Sequence, residues 1–257
     1  MDLVARFASL VSRPGAELPL DEVALVMSAH ARAPFDIAEG LARLDDLALG
    51  CGETTFDALA GHLFGAVGFR GNTARYDDPD NSFLDQVLER RVGIPITLAV
   101  VMIEVGRRLG VGVLGIGMPG HFLVRAADAD VYCDPFNGGT LLDSDGCAAL
   151  FHRVAGGAQP FDAAFLAPAT ALQILKRMFA NLEHGPFAND PVRLGALLDL
   201  HLMIPSLGSA ERLSLGAQLA NVGRFADAAR VLEAGASQSM ESKALLRQAR
   251  TYRARLN

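Results

Sequence analysis

A chain of 257 residues with a formal charge of -6, 51% of them apolar and 20% charged, has the material for one large core or two modest ones and needs no covalent staples to fold. The acidic balance speaks against nucleic acid or an anionic membrane as the main partner, because both demand a basic face that releases counterions. Three cysteines, Cys51, Cys133 and Cys147, form no CxxC pair and leave one thiol over if any disulfide forms, which points to a reducing, cytoplasmic setting.

Met1 to Pro14 carries Asp2, Arg6 and Arg13 and holds no apolar stretch of signal-peptide length. The first seventy or so residues read as short helices punctuated by Pro14-Gly15 and Pro34. Phe56, Leu59, Leu63 and Phe64 recur at helical spacing, with Thr54 or Thr55 as the cap. Asn72 to Ser82 is a polar loop of turn-forming residues, and Ser82 is expected to cap a helix that starts at Phe83 and buries Leu84, Val87 and Leu88. Gly93 is expected to stop that helix. Pro95 then opens the next one, where its missing N–H is harmless.

This second helix runs to about Leu109. Its seam is Leu98, Met102, Val105 and Leu109, and Val100, Val101 and Ile103 make its first half apolar nearly all round, as befits the middle of a domain. The period then changes to two in Val111, Val113 and Leu114, Ile116, Met118, and again in Phe122, Val124 and Val131, Cys133. Ala127 to Asp130 joins the last two strands as a hairpin, and Asn137-Gly138-Gly139 makes a further turn. The apolar runs Val92 to Ile103 and Leu109 to Val124 are too short or too glycine-rich to cross a bilayer as helices.

From about Ala169 the pattern is helical only. Leu215-Gly216, Leu219, Gly223, Phe225, Ala228 and Leu232 match the tetratricopeptide spacing of small and large residues. A degenerate companion precedes it at Leu182, Ala196, Leu200 and Pro205, and a closing helix follows from about Met240 to Arg255. The expected architecture is α+β, a central helix against an antiparallel sheet, with N-terminal helices and an all-α helical-repeat tail. The division is 1–165, including a helical region over about 1–70, and 166–257.

Three pieces belong together chemically: the helix start Gly93-Ile94-Pro95-Ile96-Thr97, His121 on one strand and Asp134 on the next. A helix N-terminus and an imidazolium lower the pKa of a thiol placed there, and a carboxylate orients the imidazole, so this order suits a papain-like nucleophile site. The runs Gly71-Asn72, Tyr76 to Leu84, Val87 to Leu98, Gly117 to Arg125 and Asp134 to Gly139 closely resemble the second type of transglutaminase-like core. With the tetratricopeptide pattern behind it, the whole chain resembles the bacterial SirB-one family.

That resemblance implies a transglutaminase-like fold in which His121 and Asp134 match the triad histidine and aspartate, while the nucleophile position falls on Pro95, which has no nucleophilic group. Asn81, Glu89, Arg91 and Pro95, with His121, are the candidate binding residues. Two readings follow. In the first, the chain is a non-catalytic module that binds a protein or peptide, and His121 with Asp134 is a structural relic. In the second, the pair still serves a hydrolase or acyl transferase as general base, acting on water or on Thr97 or Cys51. Thr97 in a first helical turn commonly bonds the main chain instead. Cys51 precedes Gly52-Glu53-Thr54 near a helix start, with an ordinary buried thiol as its plainer reading. Cys133 neighbours Asp134 on a strand and so points to the opposite face. His30, His62, His152, His184 and His201 form no spaced ligand set, and no Gly-rich phosphate loop joins a strand to a helix, so neither metal nor cofactor is expected.

Overall fold

Three helices come first in the chain: α1 (Leu3–Val11), α2 (Leu20–Ala31) and α3 (Ile37–Leu49). Asp2 and Asp36 cap the first and third by accepting the N–H groups of Val4 and Ala38. The computed structural model describes residues 2–12, 18–156, 159–236 and 242–256. The expected punctuation at Pro14-Gly15 and the expected start of the closing helix at Met240 lie outside these.

Thr55 is the cap of α4 (Phe56–Ala60), which runs on into a π-helical turn over Gly61–Ala66. A two-residue strand β1 (Arg70–Gly71) leads into the polar loop. There Asp78 accepts the N–H of Asp80 and closes Pro79–Ser82 as a 3-10 turn. Ser82 is therefore used inside that turn, and the extended Phe83 takes the N-cap place before α5 (Leu84–Arg90). Arg91, not Gly93, ends α5: at φ 56° it lies in the left-handed region, its N–H bonds the Val87 carbonyl, and the chain turns into β2 (Val92–Gly93). β2 pairs in parallel with β1.

α6 (Pro95–Leu109) is the central helix, and Pro95 to Met102 are buried around its whole circumference. Gly110, at φ 71°, closes it with its N–H on the Arg107 and Gly106 carbonyls. Behind it lies an antiparallel meander, β3 (Val113–Ile116), β4 (Leu123–Ala126), β5 (Tyr132–Asp134) and β6 (Thr140–Leu142). The register sets Val124 opposite Cys133 and Asp134 opposite Thr140. Alternation sends Val124 and Cys133 to the main core under α6, while Leu123 and Tyr132 face a smaller core under α7 (Ser144–Val154) with Cys147 and Phe151.

Five helices follow: α8 (Ala171–Glu183), α9 (Pro191–His201), α10 (Ser209–Asn221), α11 (Phe225–Ala236) and α12 (Ser242–Arg253). One apolar cluster runs from Phe7 through Leu25, Val100 and Phe122 to Phe179, Leu215 and Leu245, so the N-terminal helices, α6 and the later helices share a core. Among the described residues, no helix is long and apolar enough to cross a membrane.

A buried charge network ties α2 to α6. Asp21 and Glu104 are each 2% exposed. Glu104 accepts the Leu20 N–H at 3.1 Å and Arg107 Nε at 2.8 Å, and Asp21 accepts both Arg107 and Arg108. Burial first, and then the charge of Asp21, push the Glu104 carboxyl up to about 7 against the pull of Arg107.

Candidate functional site

His121 sits in the turn between β3 and β4, two residues before the strand begins. Its N–H bonds the Met118 carbonyl at 3.1 Å, and Gly120 takes φ 75°. Arg177 of α8 fixes this turn from outside: its guanidinium donates to the carbonyls of Met118 and His121 (2.8 Å to the latter) and lies 5.3 Å from the centre of the Phe122 ring. The backbone of His121 is thus held by a residue more than fifty positions away.

The ring is oriented by β5. His121 Nε2 lies 2.9 Å from Asp134 Oδ1, with the two side chains 6% and 2% exposed. The same carboxylate accepts the N–H of Phe136 at 3.1 Å, the N–H of Asn137 at 3.3 Å and the Asn137 side-chain amide at 2.6 Å. Burial on its own would raise the Asp134 pKa, but the hydrogen bond and charge of His121, together with the Asn137 bonds, bring it below the ordinary carboxylate range. Because an ionised Asp134 only accepts, Nε2 carries the proton. In the neutral ring Nδ1 is then a lone pair, and among the described residues it has no hydrogen-bond partner. Nδ1 is thus left as a hydrogen-bond acceptor facing no protein donor among the described residues.

Both residues line a cavity of about 460 Å³, whose other walls include Tyr76, Phe136, Thr140 and Arg153. Phe136 stands edge-on to His121 with centroids 6.1 Å apart, and Tyr76 stands edge-on to Phe136 at 5.7 Å. Gly71 makes this possible: a Cβ there would fall 2.4 Å from the Phe136 ring, so only glycine lets β1 run so close.

The sequence-predicted residues divide around this cavity. His121 and Asp134 meet in it. Pro95 stands buried at the first position of α6. Thr97 is 1% exposed, and its hydroxyl accepts the Ile94 N–H at 3.2 Å and bonds the Asn81 carbonyl at 2.7 Å, so it is engaged with main chain. Asn81, fully buried, accepts from Asn72 and Arg90 and donates to the Arg75 and Tyr76 carbonyls, which makes it the pin of the polar loop. Glu89 and Arg91 line a different cavity, of about 470 Å³, beside α3 and the π-helical turn. Cys51 is half-buried at the end of α3 and its thiol donates to the Glu53 carbonyl at 3.2 Å. Cys133 and Cys147 are buried, and each thiol is pushed up to about 12, by burial first and then by Asp134 and Asp143 respectively. Among the described residues, which include all three cysteines, none of the thiols lines the His121 cavity. Nor does any group of three or more histidine, cysteine or carboxylate side chains stand as a metal-ligand set among them.

Tyr76, Phe136, Thr140, Arg153 and Arg177 enter the site without having been singled out by the sequence. Tyr76 and Phe136 lie inside the runs that carry the family resemblance. Arg177 lies on a helix with no local signal linking it to His121.

The sequence profile described as the transglutaminase-like superfamily matches residues 20–180, from α2 through most of α8. A UPF0162 protein of Xylella fastidiosa is 46% identical over 137 residues, covering 51% of this chain and 48% of that relative, so the chain spans about half of its length. A UPF0162 protein of Pseudomonas aeruginosa is 32% identical over 194 residues, 72% of this chain and 71% of the relative. The human F-box only protein 21 is 32% identical over 136 residues, which is 49% of this chain and 21% of that protein.

Proposed function

The chain belongs to the transglutaminase-like superfamily and to the UPF0162 family, and from that premise we propose that it is a non-catalytic binding module whose His121 cleft holds an extended segment of a protein or peptide partner. The observation that carries this reading is an oriented imidazole in a cavity that none of the three thiols lines, in a chain whose central helix opens with Pro95. A triad without its nucleophile keeps the cleft, the buried His121–Asp134 pair and the hydrogen-bond acceptor at Nδ1, all of which a polypeptide N–H can use. The setting is the cytoplasm, in keeping with three unpaired cysteines. Neither nucleic acid nor membrane is the partner.

Residues 166–257 are read as a tetratricopeptide-like region of the SirB-one type, set on the core of residues 1–165. Supporting this, Gly216 lets Leu232 approach to 3.3 Å from its Cβ position, and Gly223 turns the chain between α10 and α11 at φ 79°. Such helix pairs present a face to a partner helix or peptide.

Site-mapped alkylation with iodoacetamide at neutral pH tests the reading. Cys133 and Cys147 label slowly, and Cys51 labels at an ordinary rate that is the same in His121→Ala. One cysteine that labels fast in the wild type and slowly in His121→Ala would overturn it. A second reading, a hydrolase in which His121 activates water, is favoured by the unpartnered Nδ1 and the ionised Asp134. It predicts ester or amide hydrolysis that disappears in His121→Ala.

A further inference from the structure

Tyr76 stands where two spaces meet. It lines the cavity at His121, and it also lines a smaller one of about 80 Å³ bounded by Pro79, Ser82, Ile94, Asn181 and Pro186. Ile94 is the N-cap of α6, so the smaller space lies at the start of the central helix, next to Pro95. At about 30 Å³ per water it has room for two or three waters or a short piece of backbone.

The backbone of Tyr76 is pinned by hydrogen bonds, while half of the residue stands open to solvent. The fully buried Asn81 holds the Tyr76 carbonyl at 3.1 Å and the Arg75 carbonyl at 2.8 Å. Asn81 is itself held by Asn72 at 2.9 Å and Arg90 at 3.2 Å. The Tyr76 side chain rests edge-on against Phe136, and the residue as a whole is 50% exposed. His121, behind Phe136, is only 6% exposed. A pinned main chain with a half-exposed ring moves by rotating the ring alone.

We propose that Tyr76 is the specificity-determining residue of the cleft: its ring divides the compartment at His121 from the one at the start of α6 and screens His121. The proposal rests on the reading of the cleft as a peptide-binding site. The class of ligand it selects is an extended polypeptide segment with little or no side chain where it passes the ring, because the far compartment holds backbone and little else. A branched residue at that point meets the Tyr76 and Phe136 edges.

The test is carbethoxylation of His121 by diethyl pyrocarbonate in the full chain, mapped by mass spectrometry. Exposed His184 serves as reference for reagent, and buried His201 reports on whether the fold stays closed. Tyr76→Ala should raise the His121 rate severalfold relative to His184, since the ring proposed to screen it is gone. Tyr76→Phe should leave it unchanged, and the bulkier Tyr76→Trp should not raise it. An unchanged His121 rate in Tyr76→Ala overturns the proposal. If His201 also accelerates in Tyr76→Ala, Tyr76→Trp decides alone: a His121 rate above that of the wild type overturns the proposal, and one at or below it upholds it. Because the probe reads access and not partner binding, failure here leaves the binding-module reading standing. A fast, His121-dependent thiol would defeat that reading without touching these rates.

Discussion

Glu104→Gln should make the protein less sensitive to rising pH. In the fold the Glu104 carboxyl is pushed up to about 7 from an ordinary 4.5, because it is buried and faces Asp21. A group whose folded pKa is raised contributes stability that is complete below its unfolded pKa, near 4.5, and is lost as pH climbs through the folded value, about 7. At roughly 1.4 kcal/mol per pKa unit, the loss between pH 4.5 and pH 8 amounts to about 3 kcal/mol. The glutamine amide matches the protonated acid in shape but not in every bond: with its oxygen on the Leu20 N–H, its NH₂ can donate to Asp21 but meets the Arg107 Nε–H that Glu104 Oε2 accepts, a loss of about 1–2 kcal/mol at any pH. From about pH 5 to pH 8 the variant should therefore gain on the wild type by up to about 3 kcal/mol, or about 6–12 °C in Tm for a chain this size. Urea and thermal unfolding followed by circular dichroism at both pH values measures the difference. If the variant does not gain on the wild type between the two pH values, the ion pairs with Arg107 and Arg108 outweigh burial and the reasoning fails.

Gly71→Ala places a Cβ 2.4 Å from the Phe136 ring and 2.5 Å from its carbonyl oxygen, a clash of overpacking that should cost about 1–3 kcal/mol in urea unfolding. Asn81→Ala leaves the Arg75 and Tyr76 carbonyls and the Asn72 and Arg90 donors without their buried partner. It should lose about 2–4 kcal/mol, with faster hydrogen exchange confined first to residues 72–82. Asp134→Asn should cost about 1–3 kcal/mol at neutral pH. Since the folded Asp134 pKa is lowered, its contribution is present above the ordinary 3.8 and disappears as pH falls through the folded value, so the gap between variant and wild type should narrow in acid. A gap that stays constant down to pH 2 (about two units under the ordinary range) would contradict an ionised Asp134.

The parts of the fold written in local periodicity were legible. The first half of α6 is apolar nearly all round because it is buried all round, and the period-two runs Val111 to Met118 and Phe122 to Cys133 hold β3, β4 and β5, with Val111, Met118, Phe122 and Val131 falling just outside the strands. β6 went unread, because Thr140-Leu141-Leu142 gives no alternation and owes its strand conformation to pairing with Tyr132, Cys133 and Asp134. The end of α5 was misplaced for a similar reason. Arg91 carries no stop signal of its own, and it is the pairing of β2 with β1 that holds the following residues and draws Arg91 into the left-handed region.

The site divides along the same line. A histidine near one strand start and an aspartate at the end of the next could be read from spacing, since the antiparallel register of β4 and β5 brings those ends together. What surrounds the pair could not, because it comes from distant segments: Arg177 from α8, Arg153 from α7 and Tyr76 from the polar loop. Those segments also explain how the imidazole is held. Its position depends on Asp134 and on the carbonyls that Arg177 holds, and no contact with Pro95 is needed to keep it there. Orientation of the imidazole is thus physically independent, in this fold, of which residue opens α6.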